Sequence, residues 1–347
     1  MTPNSCEELT TIVIIQPEVI DPWESEERSR IKSLVSHGGV CNNFRIVDDT
    51  DDAELIVLLE SAHYPNKTLA DVDYYDRYLG SEYYDHRKLV VINYEDSPTG
   101  ILPGLYTSLS RSRFDNALHL SWPHMRIPNE LVEKQEREKK HEDTFLFSFS
   151  GSCSHPMRRR LFDKYGARVG ECRVREVDKW YNHDLCEKES YIDEIKRSLF
   201  VLCPRGYAPY SHRIIETMAL GRVPVIIADD WVPFSVQESG YYVQIKEADI
   251  GRIDEVLRKH VASYEALQTC VKFVYGTYFA PEKRYATALN RLVSFSTMSQ
   301  HHLNRAFLKK RLYNERKRDG LLFRQQIARK IKDRLLRVAC NAALRRS

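Results

Sequence analysis

Residues 203–231 read CPRGYAPYSHRIIETMALGRVPVIIADDW, with Arg205 in a Pro-Arg-Gly turn, Arg213 after a Ser-His pair, and Glu216 three residues beyond. A guanidinium grips phosphate through paired hydrogen bonds. A carboxylate one turn deeper in a helix can accept hydrogen bonds from ribose hydroxyls. The apolar run before the turn reads as a strand, and SHRIIETMALG as the helix after it, with Ser211 as the expected N-cap. Free N–H groups at such a helix start favour an anion. The spacing predicts a nucleoside-diphosphate site, with Arg205 and Arg213 on the phosphates and Glu216 on the ribose. A companion lies upstream in SFSGSCSHPMRRRL: a strand, a flexible turn at Gly151, and a helix that opens with three arginines. Neighbouring turns in a parallel sheet would let Arg158 reach the same phosphates. No metal is expected. The aspartates within 48–52 read as a loop before a strand, and the pair at 229–230 lacks a third convergent group, so neither run is read as a ligand set.

These residues need a scaffold that brings strand ends together. TIVIIQ (11–16), DAELIVLL (52–59) and KLVVINYE (88–95) read as strands buried on both faces, with ALHLSWP (117–123) as another. Between the first two, ESEERSRIKSLVSHGG reads as a helix closed by a glycine pair. Segment 128–143 is almost wholly charged and is read as a solvated helix or linker. A second alternating block follows. Strands are expected in 144–152, 199–206, 223–231 and 241–246, and helices in 155–166, 189–198 and 211–221 and over about 250–275 and 281–296. The expected class is α/β, with two Rossmann-like lobes facing a cleft. The expected divisions are an N-terminal lobe (1–127), a linker (128–143), a nucleotide-binding lobe (144–300) and a basic helical tail (301–347).

With 347 residues the chain is long enough for two domains of roughly 150 residues each. Its composition, 42% hydrophobic and 29% charged, excludes a disordered chain. The eight cysteines form no CxxC pair and no zinc-like cluster, and acids stand near the N-terminus where a leader would carry bases. A reduced, cytoplasmic setting is expected on these grounds. The net charge of +3 is unevenly spread: residues 301–347 carry fifteen Lys or Arg against three acids, so the body is acidic. Within 321–345, Phe323, Ile327, Ile331, Leu335 and Ala339 recur every fourth position among basic residues. That pattern is a basic amphipathic helix, expected on an anionic membrane surface, with a protein partner as the alternative and nucleic acid last. Tyr74, Tyr75, Tyr78, Tyr83 and Tyr84 form either a carbohydrate platform or ordinary packing.

The order SFSGS, HPMRRRL, LCPRG, then SHRIIETMALGRVPVII and DDWVPF resembles the exostosin-type glycosyltransferases, most clearly over residues 145–235. Residues 93–115 fit more loosely. The resemblance implies a two-lobed, metal-independent fold of the GT-B type and transfer with inversion at the anomeric centre. It implies that Arg158, Arg205, Arg213 and Glu216 hold the donor nucleotide, with the sugar facing the N-terminal lobe. The expected donor is a UDP-sugar, and the expected acceptor is a glycan or a lipid-linked glycan. The alternatives are a fucosyltransferase-like enzyme using a GDP-sugar, or a non-catalytic scaffold that binds glycans or membranes. An inverting transfer needs a base to deprotonate the acceptor hydroxyl. Asp96 and Glu95, directly after KLVVINY, are the first candidates, with Glu60 next and His63 nearby.

Overall fold

In a computed structural model the chain is described over residues 9–15, 31, 33, 43–60, 88–96, 98–135, 144–168, 170–178, 183–298, 310, 311, 313, 314 and 317. The 321–345 segment, the Tyr74–Tyr84 cluster and His63 lie outside these residues, as does most of the helix expected over 24–39. By contacts the chain divides into one compact unit, residues 1–63 and 89–300, and a second, 64–88 and 301–347. Both sheets lie in the first unit.

The first sheet comprises β1 (Thr10–Ile15), β2 (Phe44–Ile46), β3 (Leu55–Glu60), β4 (Leu89–Asn93), β5 (Gly104–Tyr106) and β6 (His119–Ser121) in the order β2-β1-β3-β4-β5-β6. The second comprises β7 (Phe145–Gly151), β8 (Cys172–Glu176), β9 (Ser198–Pro204), β10 (Val223–Ile227) and β11 (Val243–Gln244) in the order β11-β10-β9-β7-β8. Every pairing between these strands is parallel. Parallel strands need crossovers that cover both faces, so their central members are apolar over most of their length. β3, β4 and β10 are buried at every position. Each such Val, Ile or Leu contributes about 1.5–3 kcal/mol relative to an exposed position.

Three strands have no clear sequence signal. β2 and β8 are edges; in CRVRE the arginines of β8 lie toward solvent, interrupting the apolar run. β5 lies inside LPGLY, where the Pro-Gly pair masks a strand. Gly104 has φ +150°, and a Cβ there would lie 2.0 Å from the Val91 carbonyl oxygen. Only glycine admits β5 so close to β4.

The α-helices described from end to end are α1 (Glu130–Glu133), α2 (Pro156–Tyr165), α3 (Leu185–Lys196), α4 (Arg213–Ala219), α5 (Ile253–His260), α6 (Tyr264–Val274) and α7 (Arg284–Met298). The reading of 128–143 as solvated needs correction at its start. Asn129 caps α1, Val132 is buried, and Glu133 forms an ion pair with the almost fully buried Arg284. The charged composition concealed this packing because the buried positions are few. The helical stretch expected over about 250–275 holds α5 and α6, separated by a 3-10 turn at Val261–Ser263.

The two lobes meet along a backbone seam. Ser121 N donates to Ser235 Oγ (2.9 Å), Ser235 N donates to the Ser121 carbonyl (2.8 Å), and Arg111 N donates to the Asp230 carbonyl (2.8 Å). The Trp122 ring meets Phe279 edge-on at 5.1 Å. α7 then reaches back to the first lobe, where Asn43 N donates to Asn290 Oδ1 (3.0 Å).

Candidate functional site

β7 and β9 are neighbours, so the turns after them lie side by side at the carboxyl end of the second sheet. α2 starts cleanly: the His155 side chain accepts from Met157 N, and Pro156 stands at the first helical position. From α2, Arg158 reaches across both turns. Its Nε donates to the Arg205 carbonyl (2.9 Å), Nη1 to the Ser152 carbonyl (3.2 Å) and Nη2 to the Pro204 carbonyl (3.1 Å). A guanidinium has five N–H donors, so two remain after these three bonds. Arg158 therefore ties the turns together while keeping donors for a ligand.

Arg213 begins α4. Its Nη2 donates to the Ser150 carbonyl, and its Cζ lies 4.6 Å from the Phe149 ring centroid and 5.6 Å from that of Tyr191. Its Nε is buried with no partner among the described residues. The Arg158 Cζ lies 5.6 Å from the same Phe149 ring. Neither arginine forms an ion pair among the described residues. Burial, then the neighbouring Arg213 charge, push the Arg158 guanidinium down to about 10. Two glycines make the approach possible. A Cβ on Gly151 would sit 3.2 Å from Arg213 Nη2, and one on Gly206 would sit 3.3 Å from Arg158 Nη2.

Ser211 does not cap α4. The N-cap residue is His212, in a helical conformation and with no side-chain cap bond. The helix thus begins one residue later than the sequence suggested. Glu216 is buried, and its Oε2 accepts from Tyr191 Oη at 2.6 Å. Burial raises the Glu216 carboxyl above its ordinary value, against the Tyr191 hydrogen bond and the Arg213 charge, which lower it. Arg205 stands apart from the other two arginines. Its Nη1 lies 3.7 Å from both Asp230 Oδ2 and Glu247 Oε1, and its Nη2 donates to the Tyr207 carbonyl. The structure therefore brings Gly151, Arg158 and Arg213 together, places Glu216 beneath them, and pairs Arg205 with acids.

In the first lobe, Glu60 is fully buried and accepts from Asn93 Nδ2 at 2.6 Å. Glu95 is half-buried just past β4, with its N–H donating to Asn93 Oδ1, and Asp96 after it is exposed. Between them and the second lobe runs a line of rings that the sequence reading missed. Tyr94 stacks on His124 (4.3 Å between centroids), His124 meets His212 (4.9 Å), and Tyr210 meets His212 edge-on (5.4 Å). His212 lies within the quoted Ser-His-Arg triplet, where its adjacency to Arg213 was the available signal. His124 and Tyr191 give no local signal, because only the fold brings them to the site. Among the described residues, no three His, Cys, Asp or Glu side chains are grouped to hold a metal ion.

The chain matches the Exostosin GT47 domain over residues 23–260. A probable glucuronosyltransferase of Oryza sativa subsp. japonica is 34% identical over 184 residues, covering 49% of this chain and 39% of that protein. A probable glucuronoxylan glucuronosyltransferase of Arabidopsis thaliana is 45% identical over 76 residues, covering 21% of this chain and 17% of that protein. This chain therefore spans less than half the length of either relative. A solved α1,3-fucosyltransferase with GDP aligns over 88% of this chain and 94% of its own at 12% identity, with a TM-score of 0.43. The arginine-bearing turns, which carry the motifs SFSGS, HPMRRRL and LCPRG, lie inside the matched region, and the chain belongs to the exostosin GT47 family of glycosyltransferases.

Proposed function

We propose that the chain transfers a sugar, with inversion, from a nucleoside-diphosphate donor held at the carboxyl end of the second sheet. The observation that carries this reading is the Arg158–Arg213 pair. Two cations share the Phe149 ring and have no carboxylate ion pair among the described residues. Like charges held together are unfavourable unless an anion enters between or beside them. A diphosphate supplies that anion. The negative charge that develops on it as the sugar leaves is where fixed guanidinium donors are most effective. Arg205, already matched by Asp230 and Glu247, shapes the turn rather than holding phosphate.

In this reading Glu216 contributes to the ribose end through its contact with Tyr191. Glu95 and Asp96 lie on the side from which the acceptor approaches. The relatives named as glucuronosyltransferases favour a uridine nucleotide with a uronic acid sugar as the first donor to test. Guanosine is the second. The arginines meet the phosphate charge, so chelation with EDTA is expected to change UDP affinity by less than about twofold. The basic 321–345 segment is proposed to hold the protein on an anionic membrane surface, where a lipid-linked glycan acceptor would be met. Equal co-sedimentation with neutral and anionic vesicles would remove that part. The decisive experiment is calorimetry of UDP and GDP binding to the full chain and to Arg213→Ala. Unchanged affinity in the variant would overturn the site.

A further inference from the structure

Resting on the donor reading, we propose that His212 is the base that takes the acceptor hydroxyl's proton. His212 immediately precedes Arg213, yet the two side chains leave the chain in different directions. Arg213 packs on Phe149 of β7, whereas the His212 imidazole packs on His124 from the first lobe and on Tyr210 from its own turn. The ring therefore stands between the phosphate-binding guanidinium and the first lobe. A sugar attached to a diphosphate on Arg213 would present its anomeric carbon on that side.

The imidazoles of the described residues differ in what their nitrogens are doing. His119 is buried, with Nδ1 accepting from Asp115 N and Nε2 at 2.9 Å from the Gly100 carbonyl. His155 Nδ1 accepts from Met157 N, and His183 Nδ1 lies 3.3 Å from Glu187 Oε2. His124 Nδ1 accepts from Arg126 N at 3.1 Å, so in its neutral form Nε2 carries the proton and cannot accept another. The His212 ring makes no hydrogen bond among the described residues, and the residue is exposed. One of its neutral nitrogens can accept.

Although part of the residue is exposed, packing against His124 and Tyr210 lowers His212 to about 4, so that in the free protein the ring is neutral and a weak base. The groups facing it are His124 and Tyr210, with Arg213 beside it in the chain. Behind His124 lie Tyr94, Arg126 and Arg284. An incoming diphosphate would raise its basicity, because negative charge nearby favours the imidazolium. In the step itself the acceptor oxygen bonds to the anomeric carbon, and its proton passes to the free His212 nitrogen. The bond from that carbon to the diphosphate oxygen breaks, and its electron pair stays on the phosphate, facing Arg158 and Arg213. The imidazolium then releases its proton to water.

The test uses the full chain with UDP-glucuronic acid and GDP-fucose, following nucleotide release with water as acceptor and nucleotide affinity by calorimetry. His212→Gln is expected to lower kcat by about 10²–10⁴-fold with nucleotide affinity unchanged within about twofold. Asp96→Asn and Glu95→Gln are expected to retain kcat within about tenfold. Retained kcat in His212→Gln, or its loss in a carboxylate variant instead, would overturn the assignment while leaving the donor site intact. Should release by the parent chain be too slow to follow, diethyl pyrocarbonate labelling decides. His212 is expected to be labelled in the free protein, protected by the sugar nucleotide and less so by the nucleotide alone. Equal labelling under all conditions would overturn the proposal. A parent chain that binds neither nucleotide would remove the donor reading and this inference together.

Discussion

Arg213 and Arg284 both place a guanidinium against aromatic rings, and they differ in what meets the charge. Arg284 is almost fully buried at the start of α7, paired with Glu133 of α1, and lies 5.9 Å from the Tyr285 ring centroid. Arg213 has a carbonyl, two rings and a second cation nearby, but no carboxylate ion pair among the described residues. The first arrangement has its charge met within the protein, although Arg284 Nε and Nη1 are buried with no hydrogen-bond partner among the described residues. On the proposed reading, the second is completed by an anion. Residue type therefore says less about function than the neutralisation of the charge does.

The comparison can be broken most forcefully at the structural arginine. Arg284→Met leaves Glu133 without its cation and is expected to cost about 3 kcal/mol of stability, measured by denaturant unfolding, with UDP affinity retained in the folded fraction. Loss of UDP binding at full stability would erase the distinction between the two arginines. Arg213→Ala is expected to do the reverse. Calorimetry should show about a 100-fold weaker diphosphate affinity, or ~2.7 kcal/mol, with a thermal midpoint close to the parent's. Gly151→Ala sharpens the point. Its Cβ would press on Arg213 Nη2 at 3.2 Å and Phe149 Cζ at 3.0 Å. Moving that guanidinium by a few tenths of an ångström should weaken UDP by about tenfold, ~1.4 kcal/mol. Arg205→Ala comes last. Its charge is shared with Asp230 and Glu247, so affinity should change by less than about threefold, ~0.6 kcal/mol. A larger loss would return Arg205 to the phosphate site.

The fold was legible wherever both faces of a strand are covered. LIVLLE, LVVIN and VPVII announce β3, β4 and β10 because both faces are covered and the side chains are apolar, Glu60 and Asn93 at the strand ends excepted. β8 was not legible, since an edge strand needs only one apolar face, and β5 was hidden because its glycine serves close packing rather than a turn. At the site, Arg213 and Gly151 could be read because strand, turn and helix stand in sequence order. The separation of Arg205 from them could not, since Glu247 comes from a distant turn that meets it only in three dimensions. Ser211 shows the limit of local rules. A serine before a helix is a fair N-cap, but here the N-cap position falls to His212, whose side chain makes no cap bond.

Arg158 has a consequence beyond ligand contact. One side chain holds carbonyls from both the β7 and the β9 turns, so neither turn can loosen without breaking a bond to the other. Local openings with shared contacts occur as one cooperative unit. In hydrogen exchange, amides of residues 152–155 and 205–207 should open together with a common free energy, and bound diphosphate should slow both by the same factor. The two loops then behave as a single jaw.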